Sequence, residues 1–278
     1  MSGFKSKLKF VPSFLTCTSA FCGMLATFLA LEGEKSLVWA GYLILIAAIF
    51  DFSDGFAARL LDACSELGKQ LDSLADAISF GVAPSAIAFQ VLKQSMRTRG
   101  ILSSLENWQI AVLLCSILIA IFAILRLAKF NIDPDQAQSF KGLASPANAM
   151  FVASIPLIDA LVPEDLLLTR ILGCFGNDVE FSWEIILLGI QVFVIGKWYY
   201  MLPLFVFFAA MMVTNLPMFS LKIKKMSYKK YHTVFNFLIF SVVMLVLLQW
   251  LAVPILITAY ILISYIKWLK SRRSNEVA

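Results

Sequence analysis

The chain has 278 residues, 60% of them hydrophobic and only 15% charged, with a mean hydropathy of +0.83. That balance excludes a soluble globular domain and describes an integral membrane protein. The formal net charge of +5 is no nucleic-acid signature, because the cations follow membrane topology and form no single patch.

A spanning helix needs about 20 predominantly apolar residues. Eight are predicted, at 10–31, 36–58, 73–92, 107–129, 145–162, 198–215, 234–250 and 252–268. The first follows Lys5, Lys7 and Lys9 and resembles a signal peptide in its flanks. Its length of about 22 residues exceeds the usual apolar core of roughly 7–15, so it reads as a retained span. Residues 184–196, "EIILLGIQVFVIG", are too short to span and are expected to be interfacial or re-entrant. The last two spans form one apolar run that Pro254 is expected to help break into a hairpin. Trp and Tyr sit near run ends, as in "KWYY" (Lys197 to Tyr200), Trp250 and Trp268, where the headgroup layer favours them.

With eight spans both termini share a side. Seventeen of the 23 Lys and Arg then fall on the terminal side, which the positive-inside rule makes cytoplasmic. The loop "KQSMRTR", Lys93 to Arg99, is the local exception. The cluster from Lys222 to Lys230 is expected to touch anionic lipid headgroups. The five cysteines, Cys17, Cys22, Cys64, Cys115 and Cys174, are scattered and contain no CxxC pair, so neither a disulfide framework nor a zinc site is indicated.

The chemistry lies in "DFSDGFAARLLDACSELGKQLDSLADAISFGVAP", Asp51 to Pro84. A carboxylate at the centre of a spanning helix costs roughly 2.5–3.5 kcal/mol on insertion scales, yet four aspartates stand here at the edge of apolar segments. At 100° per residue, Asp51, Asp54, Gly55 and Ala58 share one helical stripe, with Arg59 at its margin. Gly68, Asp72 and Asp76 share another, at i, i+4 and i+8. Two antiparallel helices joined through "LLDACSEL" set Asp51 level with Asp76 and Asp54 level with Asp72. Four converging carboxylates repel one another unless cations neutralise them, and hard oxygen ligands in this number suit Mg²⁺ or Mn²⁺. Two such ions form the clamp used in phosphoryl chemistry. The small residues Gly55, Ala58 and Gly68 let a diphosphate and nucleotide approach the helix backbone, and Arg59 can pair with phosphate or with an aspartate. Interfacial ion pairs with Arg59 and Lys69 are the plainer reading. An ion-coupled carrier is another, but it explains no glycines and prefers acids near the bilayer midplane.

The stretch resembles the signature of the CDP-alcohol phosphotransferases, D-x2-D-G-x2-A-R-x8-G-x3-D-x3-D, at every fixed position: Asp51, Asp54, Gly55, Ala58, Arg59, Gly68, Asp72 and Asp76. Within that family it is similar to the integral-membrane phosphatidylserine synthases. The likeness rests on "FGVAP" (Phe80 to Pro84), "RLAKFN" (Arg126 to Asn131), "FKGLASPANA" (Phe140 to Ala149) and "MMVTNLPMFSLK" (Met211 to Lys222). It departs where the usual "PN" is Pro12-Ser13 and the usual "GLP" is Gly142-Leu143-Ala144.

The resemblance implies an all-α, polytopic bundle of about eight spans with the CDP-alcohol phosphotransferase fold. Residues 1–9 would be a basic cytoplasmic N-terminus, 10–222 the core, 234–268 a C-terminal hairpin and 269–278 a cytoplasmic tail. The implied reaction transfers the phosphatidyl group of CDP-diacylglycerol to L-serine, with CMP released, in a bacterial inner membrane. Two Mg²⁺ or Mn²⁺ ions would be held by Asp51, Asp54 and Asp72, with Asp76 completing the site and acting as general base on the serine hydroxyl. Asp54, Gly55, Ala58, Arg59 and Gly68 would bind the donor. Arg126, Lys129 and Lys141 are candidates for the serine carboxylate, with Asn131 and Asn148 as polar partners. The family also implies a homodimer. A sister enzyme acting on glycerol 3-phosphate, inositol or another alcohol shares every one of these donor features. A phospholipase D-like route needs paired HxK motifs, and the single histidine, His232, excludes it.

Overall fold

The computed structural model describes residues 10–63, 65–98, 102–132, 140–161, 195–218 and 228–276. They are almost entirely helical: α1 (Val11–Glu32), α2 (Glu34–Leu60), α3 (Glu66–Ser95), α4 (Asn107–Leu114), α5 (Ile117–Ile132), α6 (Ser145–Asp159), α7 (Trp198–Val213), α8 (Tyr228–Leu248) and α9 (Ala252–Glu276). One two-rung antiparallel ladder pairs β1 (Phe140–Lys141) with β2 (Pro217–Met218). The expected basic N-terminus 1–9, most of the 184–196 segment and the Lys222, Lys224 and Lys225 loop lie outside the described residues, as do Cys64, Arg99, Cys174, Arg170 and the side chain of His232.

Among the described residues, five apolar stretches are long enough to cross a membrane: α1, α2, α3, α4 with α5, and Val234–Lys270. The fifth folds back on itself. Gln249 adopts φ 48° in a 3₁₀ turn, Gln249–Leu251, and the rings of Phe237 and Tyr260 approach to 6.0 Å across the two legs. The chain therefore reverses at Gln249, before Pro254, which sits inside the first turn of α9. The helices α6 and α7 have 15 and 16 residues. At 1.5 Å per residue each spans about 22–24 Å, less than the roughly 30 Å of a hydrocarbon core.

The packing is that of membrane helices, with small side chains inward and large ones outward. On α1, Ser19, Cys22, Gly23, Ala26 and Ala30 are buried, whereas Phe14, Phe21 and Phe28, seven residues apart, are 63–66% exposed. On α2, Ala40, Gly41, Ile44 and Ala47 face in, and Trp39, Ile49, Phe52 and Phe56 face out. Close backbone approach follows. A Cβ at Gly23 would lie 2.6 Å from Ser79 Cα, and one at Gly41 would lie 2.9 Å from the Ala153 carbonyl.

The helix α3 begins earlier than the apolar run at 73. Ser65 caps it, its Oγ accepting from the Gly68 N–H at 3.0 Å, so the connection from α2 is confined to residues 61–65. Within α3, Ile78–Val82 form a π turn in which the Ala83 N–H donates to Ile78 O. Pro84 has no N–H, and in a regular helix its ring would press on the Phe80 carbonyl. The widened turn removes that conflict.

Gly142 has φ 74°, and a Cβ there would sit 2.5 Å from Met212 O. Only glycine fits this position, and its N–H donates to Leu216 O at 2.9 Å, tying the ladder to the end of α7. Aromatic contacts gather at the end opposite the 61–65 turn: Tyr42 against Trp250 at 5.6 Å and Trp108 against Trp198 at 5.6 Å. That is the expected place for an interfacial belt.

Candidate active site

Antiparallel α2 and α3 bring three of the four aspartates together. Ligand oxygens of Asp51, Asp72 and Asp76 all lie within 4.8 Å of one another, and the Asp51 and Asp76 carboxyl groups are in hydrogen-bond contact. Carboxylate oxygens so close suit a hard divalent cation, which would offset their mutual repulsion.

Asp54 is turned differently. It is buried, and its Oδ2 accepts from the Thr16 hydroxyl at 2.5 Å. The same hydroxyl lies 3.0 Å from Pro12 O, but it carries one proton, and the shorter contact to the carboxylate holds it. Thr16 is thus an α1 residue that orients a motif carboxylate. The motif gives no hint of it, because the rotation of α1 against α2 is fixed by tertiary packing. Ser19 and Ser79 continue the same seam. Ser79 Oγ donates to Ser19 O at 2.9 Å, and Ser19 Oγ donates to Ala47 O at 3.0 Å.

Beside the carboxylates is a cavity of about 240 Å³ at the α1–α2–α3 junction. Asp54, Gly55, Ala58, Arg59, Gly68 and Asp72 all line it, joined by Pro12, Ser13 and Thr16 from α1. A Cβ added to Gly55 would meet nothing within 4 Å, so protein packing does not require glycine there, and the adjoining space is free for a ligand. Arg59 is exposed at the cavity wall. Among the described residues its guanidinium makes no ion pair.

The candidates for the acceptor separate. Arg126, on α5, donates through Nη1 to Ser145 Oγ at 3.1 Å, and both Asp76 and Tyr260 lie within electrostatic reach of it. Among the described residues its Nε is buried without a partner, as are both amide atoms of Asn148 one turn along α6 from Ser145. Buried polar atoms without partners mark a place for a ligand or water. Asn131 Nδ2 donates to Ser73 Oγ at 3.0 Å, on the residue after Asp72. Lys129 instead reaches Val213 O at 3.4 Å, and Lys141 sits on the ladder rung opposite Pro217. Of the three cations, Arg126 is the one within electrostatic reach of Asp76.

The chain is 34% identical over 144 residues to the CDP-diacylglycerol–serine O-phosphatidyltransferase of Bacillus subtilis, covering 51% of this chain and 73% of that protein. It is 36% identical over 150 residues to the protein of the same name from Helicobacter pylori, covering 53% and 57%. It is 34% identical over 149 residues to the archaetidylserine synthase of Methanothermobacter thermautotrophicus, covering 53% and 58%. The match therefore spans little more than half the length of the last two relatives. The sequence profile of the CDP-alcohol phosphatidyltransferases matches residues 9–176, a stretch that contains α1 to α6, the three-carboxylate cluster and its cavity, and on that match the chain belongs to the CDP-alcohol phosphatidyltransferase family.

Proposed function

We propose that the chain is a phosphatidylserine synthase, transferring the phosphatidyl group of CDP-diacylglycerol to L-serine with release of CMP. The observation that carries this reading is the Asp51, Asp72 and Asp76 cluster beside a cavity walled by Asp54, Gly55, Ala58, Arg59 and Gly68. Serine is favoured as acceptor because each of the three relatives is named for a serine lipid or for serine transfer.

In this reading Asp51, Asp54, Asp72 and Asp76 hold two Mg²⁺ or Mn²⁺ ions, which when bound would offset the charge of the donor diphosphate and of departing CMP. Gly55, Ala58 and Gly68 admit the cytidine diphosphate against the helices, and Arg59 pairs with its phosphate. Asp76 accepts the proton of the serine hydroxyl. The serine oxygen then bonds to the phosphorus bearing diacylglycerol as the bond from that phosphorus to the CMP oxygen breaks. Arg126, with its free Nε, is suited to the serine carboxylate, and Asn148 offers a further donor and acceptor at the same depth. Lys129, Asn131 and Lys141 form the outer part of the acceptor side.

The same reading gives the chain eight spans in the CDP-alcohol phosphotransferase fold, with 10–222 as core and 234–268 as an added hairpin. It sits in a bacterial inner membrane as a homodimer with both termini cytoplasmic. The test is CMP release from CDP-diacylglycerol by the purified chain with serine, glycerol 3-phosphate or inositol, each with Mg²⁺, with Mn²⁺ and with EDTA. Release with serine and metal alone is expected. Release with another alcohol would reassign the acceptor within the family, and release unchanged by EDTA would end the metal reading.

A further inference from the structure

At the end of the bundle opposite the carboxylates, the α1–α2 corner and the C-terminus of α3 enclose a second cavity of about 700 Å³. Its lining includes Gly33, Glu34, Gln90, Lys93, Arg97 and Thr98. Asp72 and Lys93 lie on the same helix, and at 1.5 Å per residue they stand about 30 Å apart. The cavity is therefore no extension of the carboxylate site.

Its lining carries charge of both signs. Gln90 is only 9% exposed and lines the cavity. Among the described residues, no hydrogen bond or ion pair engages the side chains of Glu34, Gln90, Lys93 or Arg97. Two cations at this end run against the charge bias of the rest of the chain. The helix α2 also starts here at Gly33 without a side-chain cap, leaving its first N–H groups open.

Arg97 adds a backbone observation. It has φ 54° and closes α3 in a Schellman turn, with Thr98 N–H donating to Lys93 O at 3.2 Å and Arg97 N–H to Gln94 O at 2.8 Å. Glycine fills that position most easily. An arginine in that position sets a second cation beside Lys93 and the Gln90 amide on the cavity wall.

We propose that this cavity binds the headgroup of an amino-phospholipid from the leaflet at that end of the bundle. Lys93, Arg97 and the Gln90 amide hold its phosphodiester, and the Glu34 carboxylate holds its ammonium. A free phosphate or a purely anionic headgroup satisfies the cations but leaves Glu34 opposed to like charge. Charge of both signs within one cavity selects a zwitterion.

The test uses the purified full-length chain in detergent with EDTA present, so that the metal-dependent site makes no contribution. Calorimetric titrations compare dihexanoyl phosphatidylethanolamine, dihexanoyl phosphatidylglycerol and inorganic phosphate. Phosphatidylethanolamine is expected to bind about tenfold more tightly than the other two, the equivalent of one charge-assisted contact. Arg97→Gly should abolish most of that binding while keeping or raising the Tm of the lipid-free protein, because glycine suits the φ. Lys93→Gln should weaken binding similarly, and Glu34→Gln should erase the preference for phosphatidylethanolamine over phosphatidylglycerol. Unchanged binding in both Arg97→Gly and Lys93→Gln would overturn the proposal. Inorganic phosphate binding as tightly as phosphatidylethanolamine would overturn the lipid assignment in favour of a free-phosphate site.

Discussion

Asp72 and Asp76 lie one helical turn apart, and their surroundings differ. Asp72 borders the cavity assigned to the donor, whereas Asp76 touches Asp51 and lies within electrostatic reach of Arg126, on the acceptor side. Asp76→Asn keeps one oxygen ligand and removes the base. We expect turnover to fall by at least the 10²–10⁴ that general base catalysis typically contributes, with metal-dependent donor binding largely kept. Asp72→Asn should weaken metal and donor binding together. Donor affinity across a Mg²⁺ titration, measured beside turnover, separates the two, and near-normal turnover in Asp76→Asn would remove its role as base. Thr16 supplies a second prediction at this scale. Its hydrogen bond to the Asp54 carboxylate belongs to the charged class worth about 1.5–3 kcal/mol. Thr16→Val keeps the shape and deletes the donor, so metal affinity should drop about tenfold and Tm should fall with it, because the buried carboxylate loses its donor. A drop in Tm with metal affinity intact would make Thr16 a packing residue. The level pairing of Asp51 with Asp76 is legible in the sequence, because antiparallel helices joined by a short turn fix which numbers meet. The rotation of Asp54 toward Thr16 is not legible, since it depends on a third helix whose register carries no motif.

Glycines show the same division between elements. Gly23 and Gly55 lie on neighbouring helices. Their surroundings are opposite. A Cβ on Gly23 would lie 2.6 Å from Ser79 Cα, a backbone atom in the π turn of α3 that cannot swing away, whereas one on Gly55 would meet nothing within 4 Å. Gly23→Ala is therefore an overpacking change, expected to cost about 1–3 kcal/mol of stability and to lower Tm. Gly55→Ala should leave Tm unchanged and weaken CDP-diacylglycerol binding. Thermal unfolding in detergent beside donor titration checks both, and a destabilised Gly55→Ala would mean that the cavity wall is closed by protein. The π turn itself is half legible. Pro84 within an apolar run announces a disturbance, but whether the chain kinks, breaks or widens depends on what receives the displaced residues. Here Ser79 bonds to Ser19 O, and Gly81 lies against Ala120 and Ala123 of α5. The C-terminal hairpin is similar. A proline near its middle suggests the reversal, yet the backbone turns at Gln249, where φ is positive, and the proline is absorbed into the first turn of the following helix.

Across the whole molecule, charge and site must agree about which side is which. The carboxylate cluster lies at the end of the bundle that carries the 61–65 turn, and the aromatic belt of Tyr42, Trp108, Trp198 and Trp250 lies at the other. Serine and CMP are water-soluble, so a synthase drawing on cytosolic serine needs the 61–65 turn inside. The charge bias of the sequence points the same way. Lys93 and Arg97 oppose it locally, and their place beside an amide and a carboxylate in the distal cavity gives them a reason other than topology. Span number is the least legible feature at this scale: α6 and α7 are apolar but shorter than a hydrocarbon core, so composition predicts them as spans while their length alone does not secure it. Orientation can be tested without settling that number. In a cysteine-free background, Glu66→Cys, in the exposed first turn of α3, should resist a membrane-impermeant maleimide in sealed cells and react after permeabilisation. Lys35→Cys, exposed at the opposite end, should react in sealed cells. The two positions are joined by α2 alone, so they must behave oppositely if that helix crosses the membrane. Labelling of Glu66→Cys with protection of Lys35→Cys would invert the molecule and separate the carboxylates from cytosolic serine. Equal labelling of both would show that α2 does not cross at all.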